Sequence, residues 1–331
     1  MPQKSTKGIR TIFCAVLWLR VDSGSVSVMV PARFLLLPCL LLLSWSACTS
    51  NGPAPEGPIR REITDDAGRR VSMPVPVNRV ISLAPNLTEI VFAIGAGNRL
   101  VGRTSYCDFP AEAQAVAEVG DTLHPSLERV IALQPQLVLI STASQLEVFT
   151  QQLQNQNIAV FVTDPRDLDG VFRTIDQVGR ILDHTQQAGL LLQKLRDRAR
   201  AVEDAVKEKP PVRVFYQLSA EPLYTTGREA FETDLIRRAG GISVTADVPG
   251  AWPRYSDESA LASKPEAIIM PTGGSMGAAN STLVEALRQS PAALAGRVYK
   301  INGDYLVRPG PRAVDGLEAM ARALHPESFK Q

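Results

Sequence analysis

The chain has 331 residues, more than one small hydrophobic core usually organises, so its length points to two domains. Hydrophobic residues make up 45% of it and charged residues 21%, with a formal net charge of +1. A nucleic-acid binder would carry a basic excess or a clustered cationic face, so polyanion recognition is excluded as its main role.

Residues 1–48 are written differently from the rest. Phe34 to Leu43 is an apolar run behind Arg33, and the small residues Ser46 and Ala47 precede Cys48, which is the layout of a bacterial export signal. The run is shorter than the ~20 residues of a spanning helix. Met29 is the natural start of such a signal, so residues 1–28 read as an upstream extension and residues 29–48 as the signal. Trp45-Ser46-Ala47-Cys48 resembles a lipobox, with Trp45 where Leu is usual. Lipidation of Cys48 is expected, with plain cleavage and secretion as the alternative. Residues 49–77 read as a tether and lead-in, because Thr49 to Pro58 is rich in Asn, Gly and Pro and has no apolar period. Of Cys14, Cys39, Cys48 and Cys107, only Cys107 stays free in the processed chain, so no disulfide framework is expected. Cys107 reads as a small buried apolar residue.

A first lobe is expected over residues 78–165. Arg79 to Leu83 is a β-rich run, Ala84-Pro85-Asn86 a turn, and Leu87 to Ile94 has helical spacing ending at Gly95-Ala96-Gly97. Asn86 or Thr88 can cap this helix, with Glu89 favourable in its first turn. Strand Leu100–Val101, a helix starting at Ser126, strand Leu137–Ile140, a helix near Leu146–Gln154 and strand Ala159–Val162 follow. Alternating strands and helices argue for a mostly parallel sheet covered on both faces.

Residues 166–210 are the most helical part. One apolar stripe runs from Leu168 to Leu182 and another from Leu191 to Val206, ending before Pro210-Pro211. A ~20-residue helix spans ~30 Å and resists bending, so it should join the lobes rigidly.

The second lobe, residues 211–331, repeats the order of parts: strand Arg213–Gln217, helix Phe231–Ala239, stop Gly240-Gly241, a Ser256 helix, and strand Ala267–Met270. A Gly-rich loop, a helix near Leu283–Gln289, strand Val298–Lys300 and a closing helix Val314–Leu324 complete it. The duplication is literal in one place. Ser126-Leu127-Glu128 to Leu139 aligns without a gap on Ser256-Asp257-Glu258 to Ile269, 130 positions later. Each copy reads as a capping Ser, a Glu in the first turn, a short helix stopped before Pro, and an apolar strand. The fold class is therefore α/β: two similar lobes, each a mostly parallel sheet flanked by helices, joined by a long rigid helix, with a cleft between them.

Arg79 to Ile90, Val101 to Pro110 and the paired Ser-x-Glu segments together resemble the helical-backbone periplasmic substrate-binding proteins of ABC importers, and among them the cobalamin-binding members, over roughly residues 78–325. The resemblance implies an exported, monomeric, non-enzymatic receptor, periplasmic or at the cell surface, held to the membrane by a lipid on Cys48. It would capture cobalamin or another corrinoid as cargo, with no resident cofactor or metal, and deliver it to a permease dimer with its ATPase subunits. It places Glu128 and Glu258 as the carboxylates that dock on permease arginines. It places the ligand against Pro85, Asn86 and Leu87, against the aromatics Tyr106, Tyr224 and Trp252, and against Arg308, which can hydrogen-bond an amide or phosphate. Flat aromatic faces bury macrocycles well. From the residues alone, Glu128 and Glu258 read equally as partners of a helix dipole, and Tyr106 and Tyr224 as half-buried packing.

One family aromatic falls at about Thr122 here, with His124 nearby, so a ferric siderophore or haem is the alternative cargo. With only His124, His184 and His325 in the chain, a site of several His is not expected. Gly273-Gly274-Ser275-Met276-Gly277 has no Lys-Ser/Thr after it and reads as a flexible loop rather than a phosphate loop. No Gly-x-Ser-x-Gly elbow is present, and Asp108, Asp121 and Asp257 read as turn and cap residues, which leaves an exported hydrolase a distant alternative.

Overall fold

The computed structural model describes residues 59–142, 147–274 and 282–329. The expected upstream extension, signal, Cys48 and the start of the tether lie outside the described residues.

The chain enters through a hairpin, Arg60–Thr64 (β1) paired antiparallel with Arg70–Pro74 (β2). Residues 60–74 are thus folded rather than a tether. Val71 and Met73 alternate with polar neighbours and are buried, which suits a half-buried strand. Asp66 of the hairpin turn donates its amide to Val162 O at 3.0 Å and accepts from the Asp164 amide at 2.7 Å, which ties the hairpin to the edge of the first sheet.

That sheet is built from Val80–Ser82 (β3), Leu100–Arg103 (β4), Leu137–Ser141 (β5) and Ala159–Thr163 (β6), all parallel in the order β4-β3-β5-β6. Its helices are Pro85–Ala93 (α1), Leu127–Ala132 (α2) and Glu147–Asn155 (α3). The helices Leu168–Ile181 (α4) and Thr185–Val206 (α5) follow, turning at Asp183, whose φ is 54°. Asp167 caps α4 by accepting from the Gly170 amide.

The second sheet comprises Val212–Tyr216 (β7), Gly241–Ser243 (β10), Ala267–Thr272 (β11) and Val298–Asn302 (β12), parallel in the order β10-β7-β11-β12. Position for position this is the order of the first sheet. A small hairpin, Ser219–Ala220 (β8) with Leu223–Tyr224 (β9), is inserted after β7. The helices are Phe231–Arg238 (α6), Asp257–Ala262 (α7), Pro291–Leu294 (α8), Gly303–Leu306 (α9) and Ala313–Leu324 (α10).

The duplicated segment is structural. Ser126 caps α2 by accepting from the Arg129 amide, and Ser256 caps α7 by accepting from the Ser259 amide. Each copy then leaves its helix through a residue in the left-handed region, Gln134 at φ 45° and Lys264 at φ 46°, directly before the Pro. Gly95 and Gly240, at φ 78° and 80°, serve the same end after α1 and α6.

Strand residues alternate between two layers. Val138 and Ile140 join a cluster under α2, and Ile268 and Met270 one under α7, whereas Leu137, Leu139, Ala267 and Ile269 face a single core. That core runs without a break from α1 through α4 and α5 to α6 and α10, so the lobes share their apolar interior. Two expectations are corrected. The helix near Leu283–Gln289 is a 3-10 turn, Glu285–Gln289, followed by α8, because Pro291 has no amide to continue a ladder and Ser290 starts a new cap. Neither Asn86 nor Thr88 caps α1: the N-cap is Ala84, Asn86 Nδ2 donates to Pro309 O at 3.2 Å, and Thr88 Oγ1 bonds Ser82 Oγ at 2.8 Å.

Candidate functional site: the interlobe cleft

A cavity of about 360 Å³ lies between the lobes. Its walls come from the carboxyl ends of the strands and the starts of the helices that follow them. Pro85 and Asn86 open α1, Ser141 ends β5, and Asp164 to Arg166 follow β6. From the other lobe come Glu229, Phe231 and Glu232 around the start of α6, Trp252 in the loop after β10, and Arg308 in the loop before α10. Ligands of open α/β sheets bind at this end because the loops there diverge.

Four of the seven expected ligand residues meet here: Pro85, Asn86, Trp252 and Arg308. Trp252, a loop tryptophan without apolar periodicity, lines the cavity and is 46% exposed. Leu87 does not, because the helical turn after Asn86 sends it into the shared core, where it is fully buried. Tyr106 and Tyr224 are half-buried and do not line the cavity. Tyr224 is held in β9, paired with Ser219 and bridged to Arg254. Thr122, at the place of the missing aromatic, does line it. His124 points away, its ring against Asp121 at 3.3 Å.

Arg308, expected to hydrogen-bond an amide or phosphate of the ligand, lines the cavity among carboxylates, with its Nε and Nη2 buried and without a hydrogen-bond partner among the described residues. It is 1% exposed, and its guanidinium lies 2.9 Å from Asp108, 3.3 Å from Glu89 and 3.1 Å from Asp304. Asp108 is thus an ion-pair partner rather than a turn residue. Glu89 is not a first-turn helix partner either: it is 3% exposed and also holds Arg312. Arg312 in turn lies over the Phe109 ring, 4.1 Å from its centroid. Glu89, Asp108 and Phe109 belong to one lobe and Asp304, Arg308 and Arg312 to the other. Desolvated charges persist only when paired and hydrogen-bonded, and the two lobes supply each other's partners. The remaining cleft cation, Arg166, pairs with Asp164 at 2.7 Å.

Glu232 was not expected from the sequence. It is 1% exposed at the cavity floor, and burial pushes its pKa up to about 7 although its own amide and the Trp252 indole pull it down. Burial, then the Glu232 charge, pushes the Tyr216 phenol well up. Cys107 is buried and its thiol is pushed up by that burial, despite hydrogen bonds from Thr104 and Thr88, which fits packing. Among the described residues no group of three or more His, Cys, Asp or Glu is arranged to hold a metal ion.

Glu128 and Glu258 are exposed in the first turns of α2 and α7. They occupy equivalent positions of the two lobes, outside the cavity.

The profile of the periplasmic binding protein family matches residues 80–305. The chain belongs to that family. It is a substrate-binding protein of the ABC-transporter class. An ABC transporter substrate-binding lipoprotein of Bacillus subtilis strain 168, YvrC, is 28% identical over 276 residues, covering 81% of this chain and 87% of that protein. The structure of the periplasmic vitamin B12 binding protein BtuF of Vibrio cholerae is similar with a TM-score of 0.69 and 26% identity, covering 77% of this chain and 99% of that one. The periplasmic heme-binding protein RhuT of Roseiflexus sp. RS-1 shares the fold with a TM-score of 0.68 at 24% identity, covering 76% and 99%. No helix of the described residues is long and apolar enough to cross a membrane.

Proposed function

We propose that the chain captures cobalamin or a related corrinoid in the interlobe cleft and passes it to the permease of an ABC importer through Glu128 and Glu258. The observation that carries this reading is the half-exposed Trp252 lining a cavity in which, among the described residues, both cations are ion-paired with carboxylates. A flat apolar wall with a charge-balanced floor suits a large uncharged macrocycle. A ligand carrying carboxylates or phosphates would compete, among the described residues, with the carboxylates already paired to Arg166 and Arg308. The similarity to a vitamin B12 binding protein of Vibrio cholerae supports the same reading.

A ferric siderophore or haem is the second reading, and the shared fold with a haem-binding protein favours it. It would call for an iron-ligating side chain or for free cations. None of the described lining residues is His, Tyr, Cys or Met. The receptor acts outside the cytoplasm as a monomer, tethered by a lipid on Cys48, and has no catalytic task.

The test is a titration of the chain from Cys48 onward with cyanocobalamin, ferrichrome and haemin. Trp252 reports directly, because Trp18 and Trp45 fall in the leader. Saturable quenching by cyanocobalamin is expected. Saturation by haemin or ferrichrome alone would establish the second reading.

A further inference from the structure

Glu232 opens α6 at the floor of the cleft, and its Oε2 is buried without a hydrogen-bond partner among the described residues. Buried polar atoms in native folds are nearly always satisfied, so an orphaned one marks a missing water, ion or ligand group. This one belongs to a side chain that borders the cavity. Its neighbour in the cavity lining is Trp252, whose indole approaches the Glu232 carboxyl.

We propose that Glu232 is a specificity-determining residue of the cleft, a carboxylic acid that donates a hydrogen bond to an uncharged acceptor, such as a carboxamide oxygen, of the captured molecule. The inference rests on the capture role argued above and names the chemistry that the cleft selects.

The charges around Glu232 favour an uncharged partner. Glu229 lies in the loop just before α6, and Asp164 lines the cavity with its own partner Arg166. Arg308 is ion-paired with three carboxylates, although its Nε and Nη2 have no hydrogen-bond partner among the described residues, and Tyr216 of β7 is the buried phenol that feels the Glu232 charge. On the helices packed against α6, the charged groups are engaged elsewhere. In α4, Asp169 pairs with Arg238, Arg173 with Asp167, and Arg180 with Asp176. In α10, Asp315 and Glu318 pair with Arg198, and Arg322 lies over Phe329. The third neighbour, β10, carries no charge.

A carboxylate or phosphate brought to this floor would therefore meet the Glu229 carboxylate, while the cations lining the cavity already carry carboxylate partners. An uncharged acceptor gains a donor when Glu232 is protonated. Covering the carboxyl with ligand removes it further from water and favours the neutral acid, so binding should take up a proton near pH 7.

The experiment measures dissociation constants of the chain from Cys48 onward for cyanocobalamin, ferrioxamine B and haemin between pH 6 and pH 8. It is done on the wild type, Glu232→Gln and Glu232→Leu, with thermal melting to confirm that each variant folds. Wild-type affinity for cyanocobalamin should fall about threefold to tenfold from pH 6 to pH 8 as a group titrating near 7 loses its proton. Glu232→Gln should flatten that profile, because the amide donates at either pH. Glu232→Leu should weaken binding at pH 6 about tenfold, the usual consequence of removing one buried hydrogen-bond partner. A folded Glu232→Leu that binds cyanocobalamin as tightly as wild type, with the pH profile unchanged, would mean that Oε2 faces only a structural water and would overturn the inference while leaving capture intact. Preferential binding of haemin, a dicarboxylate, or of the cationic ferrioxamine would overturn the uncharged partner. Failure of the wild type to bind any of the three would overturn the capture role, and the inference with it.

Discussion

The Glu89 carboxylate of α1 receives both Nε and Nη2 of Arg312, at 2.9 and 2.6 Å, although the two residues belong to different lobes. The pair closes a buried network that also contains Arg308, Asp108 and Asp304, and it sits behind the cavity. Together with the shared core along α4 and α5, it fixes the angle between the lobes. Capture in this protein should therefore occur with little closure.

Removing one member of such a network leaves a desolvated charge behind. Glu89→Ala is expected to lower the unfolding free energy by about 3–5 kcal/mol. The double variant Glu89→Leu with Arg312→Met should recover much of that loss. Urea unfolding of the two single variants and the pair gives the coupling energy, and an additive result would mean that the two side chains do not act as a unit.

The stability of the ligand-free protein should carry a signature of Glu232. Its carboxyl titrates at about 7 in the folded chain against an ordinary 4.5, because burial disfavours the charged form. The folded state therefore holds a proton that the unfolded chain gives up. Its contribution is fully present below pH 4.5 and is lost as pH rises through 7, amounting to about 3 kcal/mol. Asp234 has the opposite sign. Burial pushes it up, but the Leu168 amide and the Arg237 and Arg238 guanidiniums more than offset this and hold it low, so its contribution is lost only in acid. Melting temperatures from pH 5 to pH 8 should fall for the wild type and stay nearly level for Glu232→Gln, which should be the more stable protein at pH 8.

The approach of α4 to α5 depends on Gly179. A Cβ there would run into the Ala188 side chain and come within 3.5 Å of His184 O. Gly179→Val should push the helices apart and cost about 1–3 kcal/mol, the usual penalty of overpacking. A chemical denaturation midpoint equal to that of the wild type would contradict the close contact.

The docking role proposed for Glu128 and Glu258 can be tested apart from ligand capture, since neither lines the cavity. Replacing both with Arg should abolish uptake into cells or vesicles while the dissociation constant for cyanocobalamin stays within about twofold, because reversing an exposed charge outside a site rarely moves affinity by more than ~0.5 kcal/mol. A parallel loss of ligand affinity would refute the assignment.

Much of the architecture was legible because it depends on local rules. Ser126 and Ser256 cap their helices as read, and the apolar runs around Val138 and Ile268 are central strands of parallel sheets. Periodicity also located the stripes of α4 and α5. The hairpin at Arg60–Pro74 escaped notice because its alternation is short and interrupted by arginines, one of which, Arg61, is held by Asp183 and the Arg180 carbonyl far along the chain. The cleft was less legible than the scaffold. Trp252 stood out as a loop tryptophan among Gly and Pro, whereas Tyr106 and Tyr224 share its chemistry and fall outside the cavity. Glu89 carried a signal that could have been used, a charge set among Leu87, Ile90 and Val91 on a helix destined for burial.

The sequence by itself determined the two lobes, their matching succession of parts along the chain and the helical link, because helix caps, Pro stops and apolar periods act over a few residues. Only the tertiary structure decided the electrostatics of the cleft. Glu89 meets Arg312 across 223 positions and Arg308 meets Asp108 across 200, so the carboxylate partners of Arg308 arise only when the lobes come together. The same burial lifts Glu232 toward neutrality, and no local pattern records it, because solvation belongs to the assembled fold.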